Sequence, residues 1–315
     1  MPQPRILVVG SANIDLVTQV PRIPKPGETV IGTSFYTVCG GKGANQAVAA
    51  ARLGAHAYFA GCVGNDAFGA LQRQSLGDEG IDLTHLITHP TEATGTAVIL
   101  VADQGQNSIV VTPSANYGFT PDRVEAMAPL IAQMDAVLVQ LEIPFDSVAA
   151  TLRIARSAGV LGVLDAGPAQ RVPEGILELA DIVSPNETEA EAMTGVKVAS
   201  LDDARLAAAK LLEMGGREVV LKLGANGALY ANTRESFHVP PFPVDAVDAV
   251  AAGDAFTAAL AIAWRWGVPN DAIRFANATG ALATLTPGAQ PSLPKRTAVE
   301  AFLRERNALP TRLAE

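Results

Sequence analysis

Short apolar runs rich in Val, Ile and Leu alternate with longer stretches of helical periodicity along this chain of 315 residues. RILVVG (5–10), AVLVQL (136–141), LGVLDA (161–166), DIVSP (181–185) and EVVLKLG (218–224) are nearly continuous apolar segments. Strands of that kind are covered on both faces, as in a parallel sheet, whereas a strand with one wet face alternates polar and apolar residues. Between them, ANQAVAAARLG (44–54), FDSVAATLRIARSAG (145–159) and LDDARLAAAKLLEMG (201–215) carry helical patterns. Parallel neighbours need a crossover of this length, so the alternation predicts βαβ units. The expected fold is α/β: a doubly wound, mostly parallel central sheet with helices on both faces.

Two stretches interrupt the rhythm. DLVTQVPRIPKPGETVIGTSFYTV (15–38) is strand-like and punctuated by Pro and Gly, and TGTAVILVADQGQNSIVVT (94–112) reads as a hairpin turning at DQGQN. Neither fits a crossover. Together, about 15–38 and 94–112 predict a small β-sheet lid over one end of the central sheet, against the plainer alternative of two surface hairpins. With no internal repeat or linker in view, residues 1–307 are read as a single α/β domain and 308–315 as a loose C-terminal tail.

Charge narrows the function classes. The formal net charge is -9, from 23 basic and 32 acidic residues. A nucleic-acid or anionic-membrane surface needs a basic footprint, so neither partner is expected. Two cysteines, Cys39 and Cys62, are too few for a disulfide scaffold and suit a reducing cytoplasm. Gly10, Asn13 and Asp15 come too early for the apolar core of a secretion signal. No apolar run reaches the roughly 18 to 20 residues of a membrane span. The expected localisation is cytoplasmic. The four histidines are scattered, with no Cys/His cluster or serine triad, so neither zinc nor histidine-based catalysis is expected.

The stretch DAVAAGDAF (248–256) is the most suggestive chemically. Phe256, Leu260, Ala263 and Trp264 fall on one face of a helix predicted to begin near Gly253 or Asp254. A helix N-terminus presents unpaired N–H groups and partial positive charge. Ala251, Ala252 and Gly253 add no bulk, so an anion can approach those groups. Asp254 would repel that anion unless it had another task, such as accepting a proton from a hydroxyl that attacks a bound phosphoryl group. The helix dipole is expected to keep it ionised. The plain alternative is an acid helping to cap a helix.

CGGKGANQAVAAARLG (39–54) is a second glycine-rich loop opening a helix. Gly43 after Lys42 excludes a P-loop, and Gln46 in the third glycine position excludes a dinucleotide fingerprint. What remains is the close-approach backbone at Gly41 with Lys42 and Asn45 as donors for a hydroxyl-rich ligand, or a helix cap with a solvated lysine. Asn13 and Asp15 follow the first strand and Glu142 ends another, at the carboxyl edge where open α/β sheets bind ligands. They can hold neighbouring hydroxyls or serve turns. Asn186 and Glu189 have capping-box spacing, or organise Mg²⁺ and its waters near phosphates. KLGANG (222–227), with Lys222, Gly224 and Gly227, is a nucleotide-facing loop or a plain hairpin.

Taken in order, GSANID, GGKGANQAVAAARLG, PNETEAE, KLGANGALY, DAVAAGDAF and GAQPSLP resemble the PfkB carbohydrate kinase family in its ribokinase-like form, from about residue 5 to residue 305. The resemblance implies an ATP-dependent kinase acting on the 5-hydroxyl of D-ribose to give ribose 5-phosphate and ADP. It implies Asp254 as the base and the backbone of Ala251, Ala252 and Gly253 as an anion hole. Asn13, Asp15, Gly41, Lys42, Asn45 and Glu142 would hold the sugar. Asn186, Lys222, Gly224, Gly227, Gly253 and Asn277 would line the ATP site, with Glu189 near Mg²⁺. A monovalent cation, K⁺, would sit among the Asp248 carboxylate and oxygens at Val250, Ala283, Thr286, Gly288 and Ser292. The lid would pair across a homodimer. One residue departs from the pattern: Ala249 stands where the family carries a threonine or another polar or β-branched residue, which bears on the cation loop. Another small-sugar or nucleoside kinase (fructose, 2-deoxyribose, an adenosine-like substrate) and a non-catalytic sugar sensor stay open. The missing glycine fingerprint weighs against an NAD-dependent oxidoreductase.

Overall fold

A computed structural model describes residues 3–103, 106–310 and 313. Among them the strands run β1 (Arg5–Val9), β2 (Asn13–Val20), β3 (Ser34–Gly40), β4 (His56–Gly64), β5 (Asp82–His89), β6 (Gly95–Ala102) and β7 (Asn107–Thr112). They continue as β8 (Ala136–Val139), β9 (Leu161–Asp165), β10 (Ile182–Ser184), β11 (Glu218–Lys222), β12 (Ala228–Ala231) and β13 (Ser236–Val239). Nine form one sheet in the order β13-β12-β11-β10-β9-β8-β1-β4-β5. Every neighbouring pair from β11 to β5 is parallel, and β12 and β13 add an antiparallel edge.

Alternation along β1 shows why the strands are apolar throughout. Ile6 and Val8 point into one layer, shared with the helices Lys42–Arg52, Ala252–Trp264 and Pro269–Ala283. Leu7 and Val9 point into the other, with Phe145–Ser157 and Leu201–Glu213. Both faces are dry, so period two gives no polar positions. β4 was not among the expected runs, because Ala and Gly dilute the pattern in HAYFAGCVG, yet every residue after His56 in it is buried.

Strand order sets the site. Going from β11 to β1, the carboxyl ends carry Lys222, Asn186, Asp165, Glu142 and then Ser11 with Asn13, side by side. From β1 the chain proceeds to β4 on one side while β8 lies on the other, so the switch point of the sheet falls between β1 and β8. Open α/β sheets leave a crevice there.

The remaining strands form a separate sheet in the order β3-β2-β6-β7. It spans Asn13 to Gly40 and Gly95 to Thr112, close to the expected lid, although Gln104 and Gly105 of the expected turn lie outside the described residues. Its root is tied to the body by the buried Gln72, whose Nε2 donates to the carbonyls of Asn13 and Gly40. Apolar side chains stand exposed on it, including Phe35 at 65% and Val110 at 63%. A loose tail was expected beyond residue 307, but Ala308 is buried and Leu309 and Leu313 pack on the core, because that segment is itself apolar. Residues 311, 312, 314 and 315 of that tail lie outside the described residues. Among the described residues no helix is long and apolar enough to cross a membrane.

Leu138 is fully buried in β8 at the sheet's centre. Leu138→Ala is expected to lower the unfolding free energy by about 2–5 kcal/mol, the usual range for a core leucine. Urea denaturation measures it, and a loss under about 1 kcal/mol would contradict this account of the core.

Candidate active site

The helix Ala252–Trp264 starts a residue or two earlier than expected, and no side chain caps it. Its N-cap, Ala251, holds a left-handed conformation at φ 60°, which a non-glycine residue rarely adopts. The Ala252 N–H is used in the turn, donating to the Ala249 carbonyl at 3.2 Å. A Cβ added at Gly253 would meet only Lys222 Nζ, at 3.8 Å. The start of the helix therefore faces open space beside an ammonium group.

Asp254, in the first turn, is 4% exposed. Asn45 Nδ2 donates to its Oδ2 at 2.9 Å, Gln46 Nε2 donates to its Oδ1 at 3.3 Å, and Lys42 Nζ lies 4.0 Å from Oδ1. Burial pushes its pKa up to about 6; Lys42 opposes the shift, while Asp165 and Glu142 add to it. The helix start was expected to keep this carboxylate ionised, and at neutral pH it remains so. Desolvation and like charge nevertheless raise its proton affinity, which makes it a better proton acceptor.

Asp165, at the end of β9, was not foreseen. It is fully buried and accepts from Gln46 Nε2 at 2.8 Å, Thr257 Oγ1 at 3.0 Å, Lys222 Nζ at 3.2 Å and the Gly167 N–H at 3.2 Å. Burial would raise its pKa, but Lys222 and Lys42 hold it below the ordinary carboxylate value. Burial likewise disfavours the Lys42 ammonium, yet Asp165, Asp254, Glu189 and Glu142 hold it well above the usual lysine value. The available signal was an acid closing an apolar strand at the same edge as Glu142. Gln140 Nε2 donates to Gln46 Oε1 at 2.6 Å, which fixes the Gln46 amide so that its nitrogen faces both carboxylates. Gly10 makes room for this, since a Cβ there would lie 1.9 Å from Gln140 Oε1.

The expected sugar-side residues converge on the same place. Asn13 Oδ1 accepts from Asn116 Nδ2 at 2.7 Å. Glu142 accepts from the Ser11 hydroxyl and from the Lys42 N–H at 3.1 Å. Asp15 packs against Gly40, and burial, then Glu142 and Asp254, raise its pKa to about 7. Gly41 holds φ 90°, and a Cβ there would strike the Asn13 nitrogen at 2.7 Å. Asn45 Oδ1 is buried with no partner, an acceptor in want of a donor next to Asp254. Ser11, Gln46, Asn116 and Gln140 belong to this network; as uncharged residues in strand-end and helix positions they gave no separate signal.

On the other flank, Asn186 and Glu189 form the capping box of the helix Glu187–Thr194, with bonds of 2.8 and 2.7 Å. The plain reading of that spacing holds, and Glu189 also lies 3.9 Å from both Lys42 and Lys222. Gly224 and Gly227 take positive φ around the turn after β11. A cleft of about 380 Å³ opens beside this turn, walled by residues such as Leu201, Leu223, Asn226 and His238. Asn277 Nδ2 donates to the Pro240 carbonyl at 3.0 Å, tying the helix Pro269–Ala283 to the loop after β13.

Around the expected cation loop, Asp248 accepts from the Val250 N–H at 3.0 Å and the Gly288 N–H at 2.8 Å. The Val247 and Asp248 N–H groups donate to the Thr284 carbonyl, which lies between Ala283 and Thr286 in sequence. The Ser292 hydroxyl turns instead to the Ala289 carbonyl at 2.7 Å. Asp248, Val250 and Gly288 thus come together, while the Ser292 hydroxyl is committed elsewhere. Among the described residues no group of three or more His, Cys, Asp and Glu could cage a metal.

Residues 3–296 match the family model described as pfkB family carbohydrate kinase. The chain is 42% identical over 299 residues to a ribokinase from Haemophilus influenzae, covering 95% of this chain and 98% of that protein. It is 38% identical over 301 residues to a ribokinase from Bacillus subtilis, covering 95% and 99%. A solved structure of Arabidopsis thaliana ribokinase complexed with ribose and ATP superposes with a TM-score of 0.88 at 35% identity, covering 96% of this chain and 99% of that one.

Lys222 is one of the two lysines that balance the buried Asp165. Lys222→Met leaves that carboxylate short of charge and is expected to lower stability by about 3–5 kcal/mol, the usual penalty for breaking a buried pair. Unfolding in denaturant measures it; wild-type stability would show that the pair is not needed.

Proposed function

The chain belongs to the pfkB carbohydrate kinase family, and we infer that it is an ATP-dependent ribose kinase. The observation that carries the chemistry is Asp254, a buried carboxylate at an uncapped helix start, within hydrogen-bonding distance of Asn45 and close to Lys42. Ribose is held by Asn13, Asp15, Gly41, Lys42, Asn45 and Glu142, with the unpartnered Asn45 Oδ1 accepting from a sugar hydroxyl. The 5-hydroxyl attacks the γ-phosphorus in line. The new O–P bond forms as the bond to the β-phosphate oxygen breaks, the hydroxyl proton passes to Asp254, and ADP leaves. A loose transition state needs little early proton removal, so a carboxylate suffices as base. Backbone amides at Ala251, Gly253 and Asp254, with Lys42 and Lys222, stabilise charge on the moving group; the Ala252 N–H, expected among them, is taken by the Ala249 carbonyl.

ATP lies along the carboxyl edge past Asn186, Lys222, Gly224, Gly227, Gly253 and Asn277. Mg²⁺ would arrive with the nucleotide, held mainly by phosphate oxygens and water; Glu189 would act through its waters, and the ion would neutralise phosphate charge. K⁺ would be held by the Asp248 carboxylate and oxygens at Val250, Ala283, Thr286 and Gly288; the Ser292 hydroxyl, also expected there, is bonded to the Ala289 carbonyl. The exposed apolar side chains of the lid fit pairing between two copies in a homodimer. The balance of acidic charge and the two free thiols fit a cytoplasmic enzyme.

Asp254→Asn is expected to keep ribose affinity within a few-fold by calorimetry while turnover falls about 10²- to 10⁴-fold, the usual contribution of a positioned base. Near-normal turnover would end the assignment. Because the base acts only when deprotonated, kcat/KM for ribose is expected to fall at least tenfold per unit as pH drops below about 6, after a shallower decline that begins near pH 7 as the ribose-holding Asp15 takes up its proton. A profile flat down to about pH 5 would contradict that role.

A further inference from the structure

We propose that Asp165 is a positioning residue for phosphoryl transfer: its buried carboxylate fixes Lys222 beside the helix start at Gly253 and, through the Gln46 amide, fixes the Asp254 carboxylate. The proposal rests on Asp254 being the base. Asp165 is fully buried at the end of β9, so it reaches the reacting groups only through its neighbours. Those neighbours come from three elements. Lys222 ends β11, Gln46 belongs to the helix Lys42–Arg52, and Thr257 lies three residues beyond Asp254 in its helix.

Each link has a defined geometry. Gln46 Nε2 stands between the two carboxylates, 2.8 Å from Asp165 and 3.3 Å from Asp254, and Gln140 prevents the amide from turning over. The Thr257 hydroxyl lies 3.0 Å from Asp165 and 3.0 Å from the Gly253 carbonyl, which ties the small-residue loop to the same point. Lys222 Nζ, 3.2 Å from Asp165, is the closest atom to the space a Gly253 side chain would take. An asparagine would fill the same volume as Asp165 without the charge. The charge has two effects: it keeps Lys222 directed at the phosphate end of the site, and it adds a negative neighbour to Asp254.

The charged groups around Asp254 are Lys42 on the helix Lys42–Arg52, Asp15 on β2, Glu142 after β8 and Asp165 on β9; Glu189 and Lys222 stand behind them. Asp165→Asn removes only the Asp165 charge from this set and releases Lys222 from its partner. Removing one like charge should move the acid limb of kcat/KM for ribose to lower pH by about one unit. Loosening Lys222 and Gln46 should lower kcat about tenfold or more. Gln46→Met removes the shared donor and keeps both carboxylates, so its acid limb should move the opposite way, to higher pH.

The test is the pH profile of kcat/KM for the wild-type enzyme and for Asp165→Asn, Gln46→Met and Asp254→Asn, with thermal unfolding and ribose calorimetry on each. Opposite displacements of the acid limb in the first two variants, with ribose affinity retained, support the proposal. A folded Asp165→Asn enzyme with an unmoved limb overturns it. If Asp165→Asn does not fold, Gln46→Met decides: an unmoved limb overturns the proposal and an upward shift supports it. Near-normal turnover in Asp254→Asn overturns the base assignment itself, a separate failure from an unmoved limb in the other variants.

Discussion

Two ammonium groups, Lys42 and Lys222, stand among the carboxylates of Asp165, Asp254 and Glu189 at one end of the sheet, and the organisation of the site depends on that pairing. A carboxylate taken out of water loses several kcal/mol of solvation. Asp165 keeps its charge because Lys222 touches it and Lys42 is close by. Asp254 has no such contact. It lies 4.0 Å from Lys42 with other acids nearby, so its proton affinity rises instead. The same fold thus gives two buried aspartates opposite tendencies, which is how a protein can separate a structural charge from a reactive one.

The doubly wound sheet brings these groups together from distant parts of the chain. Asn45 and Asp254 are separated by 209 positions in sequence, yet their side chains bond at 2.9 Å. The helices Lys42–Arg52 and Ala252–Trp264 share one apolar layer over the sheet and direct their first turns at its carboxyl edge. Glycine contributes at the points of closest approach. Gly41 takes a positive φ against the Asn13 backbone, and Gly10 leaves room for the Gln140 amide that orients Gln46. The lid grows from the same junction, since β2 begins at Asn13 and β3 ends at Gly40.

Much of this could be read from residue order. Apolar runs flanked by helical patterns specified the parallel sheet, and two stretches that fit no crossover marked the second sheet. The motif residues were legible because each carries an unusual local feature: three small residues before an acid, a lysine between glycines, an amide three positions before a glutamate. Asp165 and Gln46 were hidden for the opposite reason. An aspartate ending an apolar strand and a glutamine within a helix look ordinary, and only tertiary packing gives them a shared partner. The helix start argued rightly for an ionised Asp254, but the rise in its proton affinity could not be read locally, because burial and the charge of Asp165 act across distant segments. The end of the chain misled for a simpler reason: a short segment after the last helical pattern looks like a tail until its apolar residues find a surface.

The central claim is that the helix start at residues 251–254 presents a phosphoryl group to a sugar hydroxyl beside Asp254. The most direct measurement incubates the protein with ATP, Mg²⁺, K⁺ and D-ribose and locates the phosphoryl group in the product by phosphorus–proton NMR coupling. The account predicts one equivalent of ADP per sugar consumed and phosphorus coupled to the two C5 protons. Phosphorus on another ribose oxygen, release of free phosphate in place of a sugar ester, or no ADP at all would contradict it.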